Sequence, residues 1–196
     1  MKEKFKDIEY TTVKKDLRGI FDGLYGGNQH LSTWGLKRFG CGAVTLHTYN
    51  GYINRDNFSR DDLVKGQDEV FLKYLLGPTT ALRFKLATIA FYRLRGKCAK
   101  VKIIHSYLGH KTGLRKMMME IKKNIDQDNP VPLIVGLKIR QGYEDGLRSH
   151  WITVTGYAEG FMVLISNNGR KQSLNLESLS KRRMFIAAVP INIKPV

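Results

Sequence analysis

Residues 150–176, HWITVTGYAEGFMVLISNNGRKQSLNL, contain strand-like runs separated by two turn signals. The first run alternates apolar and polar residues, and the second is apolar with β-branched residues; both patterns are typical of strands in one sheet. Asn168-Gly169 is the strongest short hairpin signal in the chain, because both residues tolerate the positive φ of a two-residue turn. This stretch therefore predicts consecutive antiparallel strands.

The rest of the chain adds three strands and several helices to this prediction. The first half shows apolar residues at helical spacing, and the second half shows strand patterns, which together predict an α+β fold. We expect one domain over residues 1–196, with a helical half at about 1–128 and a sheet half at about 129–196. The predicted helices cover 41–51, 60–76, 79–96 and 112–125, and the first of them ends at the turn signal Asn50-Gly51. The added strands cover 131–139 and 183–190, with a short strand at 99–104.

Length and composition set limits on the class of protein. A chain of 196 residues with 42% hydrophobic residues can bury one substantial core. The N-terminus is charged and lacks a secretory signal, and no apolar run approaches the roughly 18 residues of a membrane span. Two cysteines are ordinary for a reducing compartment. We therefore expect a cytoplasmic protein without a cofactor, while the oligomeric state stays open.

The formal net charge of +16 is the strongest signal in the composition. Such a surface attracts phosphate backbones, anionic lipids or acidic polypeptides. The basic residues are scattered over several predicted elements, and no zinc-finger spacing or phosphate-cradling glycine loop occurs. This pattern favours a solvated basic surface over a dedicated nucleic-acid site.

Cys41 is the candidate nucleophile. It lies in RFGCGAVTLHTYNGYI, residues 38–53, where a helix-like run begins. A helix N-terminus lowers the pKa of a cysteine, because partial positive charge beside the sulfur stabilises the thiolate. The Cys41 amide could also donate to an oxyanion. A nucleophilic cysteine then needs a histidine base from another element, held by a third polar group.

His150 is the candidate base, because it opens a predicted strand in the other half of the chain. Taken alone, it fits a hydrogen-bonded edge residue equally well. His47 follows Cys41 by six residues in the same predicted helix, so its side chain points away from the thiol. We expect His30 to lie on the surface. His105 and His110 are weak candidates for metal ligands together with Cys98. Because their spacing matches no paired metal-binding motif, we expect no metal site.

The order of these motifs resembles the papain-like cysteine peptidases, in particular the bacterial branch that includes the peptidases removing double-glycine leaders from bacteriocins. GCGAVTL, residues 40–46, matches the Cys-Gly pair that begins the central helix of that family. NPVPLIVGLKI and HWITVTGY match its strand pair, and the resemblance spans about residues 25–190. It implies a papain-like α+β fold, with N-terminal helices and the nucleophile at the start of a central helix, packed on a C-terminal antiparallel sheet.

The resemblance also implies roles for individual residues. Cys41 matches the nucleophile and His150 the general base. The polar residue that orients the histidine falls in SNNG, where Asn167 is the first choice and Ser166 and Asn168 are alternatives. Asn167 and Asn168 also fit plain turn residues before Gly169.

One position departs from the family pattern. The family's oxyanion glutamine, six residues before the cysteine, is replaced by Gly35. Gln29 could serve if the intervening chain loops out, and the indole N–H of Trp34 is another candidate donor. Loss of one oxyanion donor costs on the order of 100-fold in rate.

The function expected from these residues is cleavage of a peptide or amide bond through a thioester on Cys41. The expected substrates are peptides or proteins, including acidic ones. Two alternatives stay open. The same Cys41 and His150 pair would serve an acyltransferase or a transglutaminase-like enzyme if an amine or thiol replaced water. A catalytically idle relative would be a basic binding protein for nucleic acid or another anionic partner.

Overall fold

A computed structural model of the chain describes residues 6–7, 24–54, 56, 58–107, 109–136, 149–158, 160–181 and 185–195. A single 3₁₀ turn covers Gln29–Leu31. The helices are α1 (Trp34–Phe39), α2 (Cys41–Asn54), α3 (Arg60–Tyr74), α4 (Ala81–Arg93), α5 (Lys111–Asp126) and α6 (Leu176–Ser180). The strands are β1 (Lys6–Asp7), β2 (Lys97–Val101), β3 (Ile104–Tyr107), β4 (Val131–Val135), β5 (His150–Tyr157), β6 (Met162–Asn167), β7 (Arg170–Asn175), β8 (Phe185–Ala188) and β9 (Ile191–Pro195).

The described strands form one large antiparallel sheet and one small ribbon. The large sheet has the strand order β3-β8-β4-β5-β6-β7. β1 pairs with Gly156 and Tyr157 at the C-terminal end of β5. β2 and β9 form a separate two-stranded ribbon. The predicted hairpin is confirmed: Asn168 and Gly169 join β6 to β7 with φ of 47° and 76°, the two positive values that this turn requires. The prediction of an α+β architecture is therefore confirmed.

Helices cover both faces of the large sheet. α5 and α6 pack on one face through an apolar cluster that includes Leu114, Ile121 and Leu176, while α2, α3 and α4 pack on the other face. β4 is buried along its whole length and reads as a nearly continuous apolar run, as expected for a strand that is covered on both faces. β5 is buried as well, although its sequence alternates apolar and polar residues. α2 is also buried on nearly all sides, since it lies between the sheet and the other helices. The first residue of this central helix is Cys41.

Several sequence predictions are wrong in their boundaries. α2 continues past Asn50-Gly51, because Gly51 makes room for the Phe58 ring and does not turn the chain: a Cβ there would lie 2.8 Å from a ring carbon. The strand predicted at 99–104 is two strands, and β3 joins the large sheet, so the division near residue 128 does not separate helices from strands. α1 was not predicted. The predicted strand ends at 137–139 and 183–184 lie outside the described residues.

Candidate active site

Cys41 lies where α1 ends and α2 begins. The two helices are joined only by Gly40, whose amide closes α1 on the Leu36 carbonyl. A Cβ at Gly40 would lie 2.5 Å from the Leu36 oxygen, so the tight junction requires glycine. A Cβ at Gly42 would meet Thr79 at 2.9 Å. The two glycines flanking the cysteine therefore allow close packing around the start of the helix.

His150 and Asn167 come together from neighbouring strands. His150 is the first residue of β5 and Asn167 is the last residue of β6; because the strands are antiparallel, these positions lie at one end of the sheet. His150 Nε2 and Asn167 Oδ1 are 2.9 Å apart, and both side chains are buried. The Asn167 amide nitrogen donates to Gln172 Oε1 on β7 at 3.1 Å. Gln172 thereby turns the Asn167 oxygen towards the imidazole.

This hydrogen bond determines which ring nitrogen of His150 can act as a base. An amide oxygen only accepts hydrogen bonds, so the neutral imidazole must carry its proton on Nε2 and donate it to Asn167. The lone pair then resides on Nδ1. The neighbouring Ser166 hydroxyl instead donates to the Tyr25 carbonyl at 2.5 Å, and Asn168 lies in the hairpin turn.

Cys41 and His150 line the same small pocket. Its wall also includes Gly27, Thr48 and the backbone region of Trp151. The open space is about 10 Å³, roughly what a single water molecule needs. The pocket in this structure is thus nearly closed. Trp151 fixes one side of it, because its indole stacks on Phe84 with ring centroids 4.1 Å apart.

Burial decides the charge state of both candidate groups. Burial raises the pKa of the Cys41 thiol, although hydrogen bonds from the backbone N–H groups of Trp151, Gly42 and Cys41 itself act to lower it. Burial also lowers the pKa of His150, and the hydrogen bond that its imidazole donates to Asn167 only partly opposes this effect. The expectation of a lowered thiol pKa at the helix N-terminus is therefore wrong for the closed pocket. Desolvation outweighs these backbone hydrogen bonds, so burial favours a neutral thiol and a neutral imidazole.

The two side-chain candidates for an oxyanion donor are placed differently from the expectation. Gln29 lies in the 3₁₀ turn, and its amide nitrogen donates to the Lys37 carbonyl at 3.3 Å. The Trp34 side chain is 73% exposed and lies beside the Arg38 guanidinium. Gln29 and Trp34 are not among the described residues that line the pocket. The donors that reach the thiol are backbone N–H groups, from Trp151 of β5 and from Cys41 and Gly42 at the start of α2.

The sequence reasoning missed the Tyr25–Gly27 segment, which covers the pocket. Gly26 has a φ of 83°, and a Cβ at Gly27 would lie 2.8 Å from Thr48 Oγ1 and from Val44. The Gly27 amide donates to Thr48 Oγ1 at 3.0 Å. Only glycine can approach α2 so closely here, and the dipeptide Gly26-Gly27 was the available signal.

His30 lies on the surface, as expected, but it also acts on the candidate base. It is exposed in the 3₁₀ turn, and its charge lowers the pKa of His150. This influence arises only because the fold brings the turn near the end of β5.

The other candidate ligands lie apart from this pocket. His47 is buried against Phe58 on the side of α2 that faces α3, as expected from its spacing to Cys41. His105 contacts Tyr107. Cys41 and Cys98 are both free thiols. Within the part of the chain that the structure describes, no group of three or more His, Cys, Asp or Glu side chains could hold a metal ion.

No protein-family model matches the chain, and no curated protein sequence matches it. Among the described helices, none has the length and apolar character needed to cross a membrane. Arguments about function therefore depend on the geometry of the pocket.

Proposed function

We propose that this protein is a papain-like cysteine peptidase or amidohydrolase, with Cys41 as nucleophile, His150 as general base and Asn167 as the residue that orients the base. The observation that carries this proposal is the hydrogen bond of 2.9 Å between His150 Nε2 and Asn167 Oδ1, at the pocket that also contains Cys41. It leaves the lone pair of the ring on Nδ1, in a pocket shared with the thiol. The α+β architecture with Cys41 opening a central helix is compatible with that family.

The proposed reaction is acyl transfer to sulfur. His150 Nδ1 takes the thiol proton while the Cys41 sulfur forms a bond to the substrate carbonyl carbon. The resulting oxyanion is held by backbone N–H groups at the start of α2. The carbon–nitrogen bond then breaks, and His150 gives its proton to the departing amine. Water, activated by the same nitrogen, releases the acyl group from Cys41.

A neutral resting pair gives the mechanism a specific order of events. Because burial raises the pKa of Cys41 and lowers that of His150, the thiol keeps its proton until substrate binds, and His150 takes that proton before or during attack by the sulfur. A substrate must also displace the Tyr25–Gly27 segment or another wall, since the open space is about 10 Å³. Gln29 would become a second oxyanion donor only after releasing the Lys37 carbonyl.

Two observations favour the alternative of a catalytically idle relative: the pocket is nearly closed, and Gln29 is engaged elsewhere. The acyltransferase and transglutaminase-like alternatives use the same nucleophile and base, and differ only in the acceptor. A test of the Cys41 and His150 pair therefore separates the enzymatic functions from the idle one.

The test is iodoacetamide labelling, with each modified cysteine located by mass spectrometry. Cys98 is exposed and gives an internal reference in the same molecule. His150→Ala should slow labelling of Cys41 relative to Cys98 by about 10-fold or more at neutral pH, because the base is lost. The matched control is His105→Ala, which removes an exposed histidine and should leave the ratio unchanged. Equal ratios in all three proteins would contradict the proposal.

A peptide mixture then tests the reaction itself. Wild type should generate new peptide termini, or new amide products when an amine is added, and Cys41→Ser should generate neither. If Cys41 proves reactive and dependent on His150 while water and amines both give no product, the pair exists but the proposed substrate class is wrong.

A further inference from the structure

The β2–β9 ribbon has one apolar face and one basic face. Residues directly opposite each other in an antiparallel pair share a face, and so do residues two apart in a strand. Lys100 lies opposite Asn192, and Cys98 lies opposite Lys194. These four side chains are exposed, whereas their neighbours Ala99, Val101 and Ile191 are buried in the core. The register therefore places Lys100 and Lys194 together on the outer face.

The C-terminal part of α5 forms the other wall of a groove beside this face. The groove has a volume of about 220 Å³ and is lined by Lys100, Lys102, Lys123 and Lys194, together with Asn192 and a single carboxylate, Glu120. Glu120 is paired with Lys102 at 3.5 Å. The other three lysines have no acidic partner among the residues that line the groove. No residue of this groove lines the pocket of Cys41.

From this arrangement we propose that the groove is a binding site for a phosphate-bearing ligand. Like charges converging on a concave surface focus a positive potential and raise the local concentration of anions. Lysine is a strong phosphate partner as a point charge, and phosphate offers several acceptor oxygens to converging ammonium groups. The Asn192 side chain adds a neutral donor from the same strand face. The two sources of this chemistry are a small polyphosphate and the backbone of a nucleic acid.

Binding is measured by titration calorimetry at about 0.15 M salt, where charges farther apart than roughly 8 Å are screened, with three probes: inorganic tripolyphosphate, a short oligothymidylate and a polyglutamate peptide. The groove variant is Lys100→Gln/Lys194→Gln, which keeps length and polarity but removes two charges. The matched control is Lys111→Gln/Lys116→Gln, which removes two charges from exposed positions on α5 outside the groove. Circular dichroism checks that each variant is folded.

The groove variant should bind its phosphate probe about 10-fold or more weakly, and the control variant less than about 2-fold more weakly, because distant charges are screened by salt. Selective loss of tripolyphosphate binding identifies a small ligand, and selective loss of oligothymidylate binding identifies a nucleic acid; either result supports the site. Three outcomes overturn it: neither phosphate probe binds, both variants lose affinity equally, or polyglutamate binds the groove as tightly as the phosphate probes.

Exposed Cys98 supplies an independent readout on the same ribbon face. An anionic thiol reagent should modify it faster than a neutral reagent does, because the neighbouring lysines attract the anion. Tripolyphosphate should reduce this preference in wild type and in the control variant, but not in Lys100→Gln/Lys194→Gln. A preference that is unchanged in the groove variant would contradict a focused positive potential at the groove.

Discussion

Acidification should destabilise this protein through His47, a histidine that the proposed chemistry does not use. His47 lies within α2 and packs against Phe58, with ring centroids 4.8 Å apart. A Cβ at Gly66 of α3 would lie 2.2 Å from the His47 ring, so the two helices meet directly over it. Burial lowers the pKa of His47 to about 4; Glu69 acts to raise it and Arg95 to lower it further.

The magnitude follows from the difference between the folded and unfolded pKa. Unfolded histidine titrates near 6.5, so between about pH 6.5 and pH 4 the unfolded state binds the proton and the folded state does not. Stability therefore falls as the pH falls through this window. His47 alone should cost about 2 kcal/mol of unfolding free energy between pH 7 and pH 5, and about 3 kcal/mol once the pH is below 4. The lowered pKa of His150 acts in the same direction.

The assay is urea denaturation at several values of pH between 7 and 4.5, followed by tryptophan fluorescence. His47→Gln removes the titrating group, so its stability should depend much less on pH than that of wild type, whatever its stability at pH 7. His105→Gln replaces an exposed histidine and is the matched control. If His47→Gln kept the full pH dependence of wild type, the buried neutral imidazole would not be its cause.

Three further outcomes are expected. At neutral pH, iodoacetamide should modify exposed Cys98 before Cys41, because burial raises the pKa of the Cys41 thiol; faster labelling of Cys41 than of Cys98 would contradict this. Asn167→Ala should leave His150 without its acceptor, so that nitrogen NMR shifts of the ring change from a single tautomer to a mixture. Gly40→Ala should lower the unfolding free energy by roughly 1–3 kcal/mol, because the alanine Cβ would collide with the Leu36 carbonyl oxygen at the helix junction. Urea denaturation measures this change, and a loss below about 0.5 kcal/mol would show that the junction adapts.

The sequence was informative wherever structure depends on neighbouring residues. The alternation in HWITVTGY and the pair Asn168-Gly169 predicted β5 and the β6–β7 hairpin, because strand period and turn conformation are properties of a few consecutive residues. The position of Cys41 at the start of a helix was readable for the same reason. Gly51 was misread, since its role depends on the Phe58 ring, which packs against it only in the folded chain.

The candidate site likewise combines features that can be predicted from the sequence with features that depend on the tertiary structure. The sequence by itself made Cys41 a candidate nucleophile and left His150 undecided between an edge residue and a base. The resemblance to papain-like peptidases implied the role of His150 and narrowed the orienting residue to three neighbours. Only the tertiary structure decided that Asn167 bonds the imidazole, because register, Gln172 and the hairpin turn together set which side chain faces β5. The tertiary structure also decided that burial favours a neutral thiol and a neutral imidazole. Desolvation depends on all the residues that pack around the side chain, and most of these are distant in the sequence.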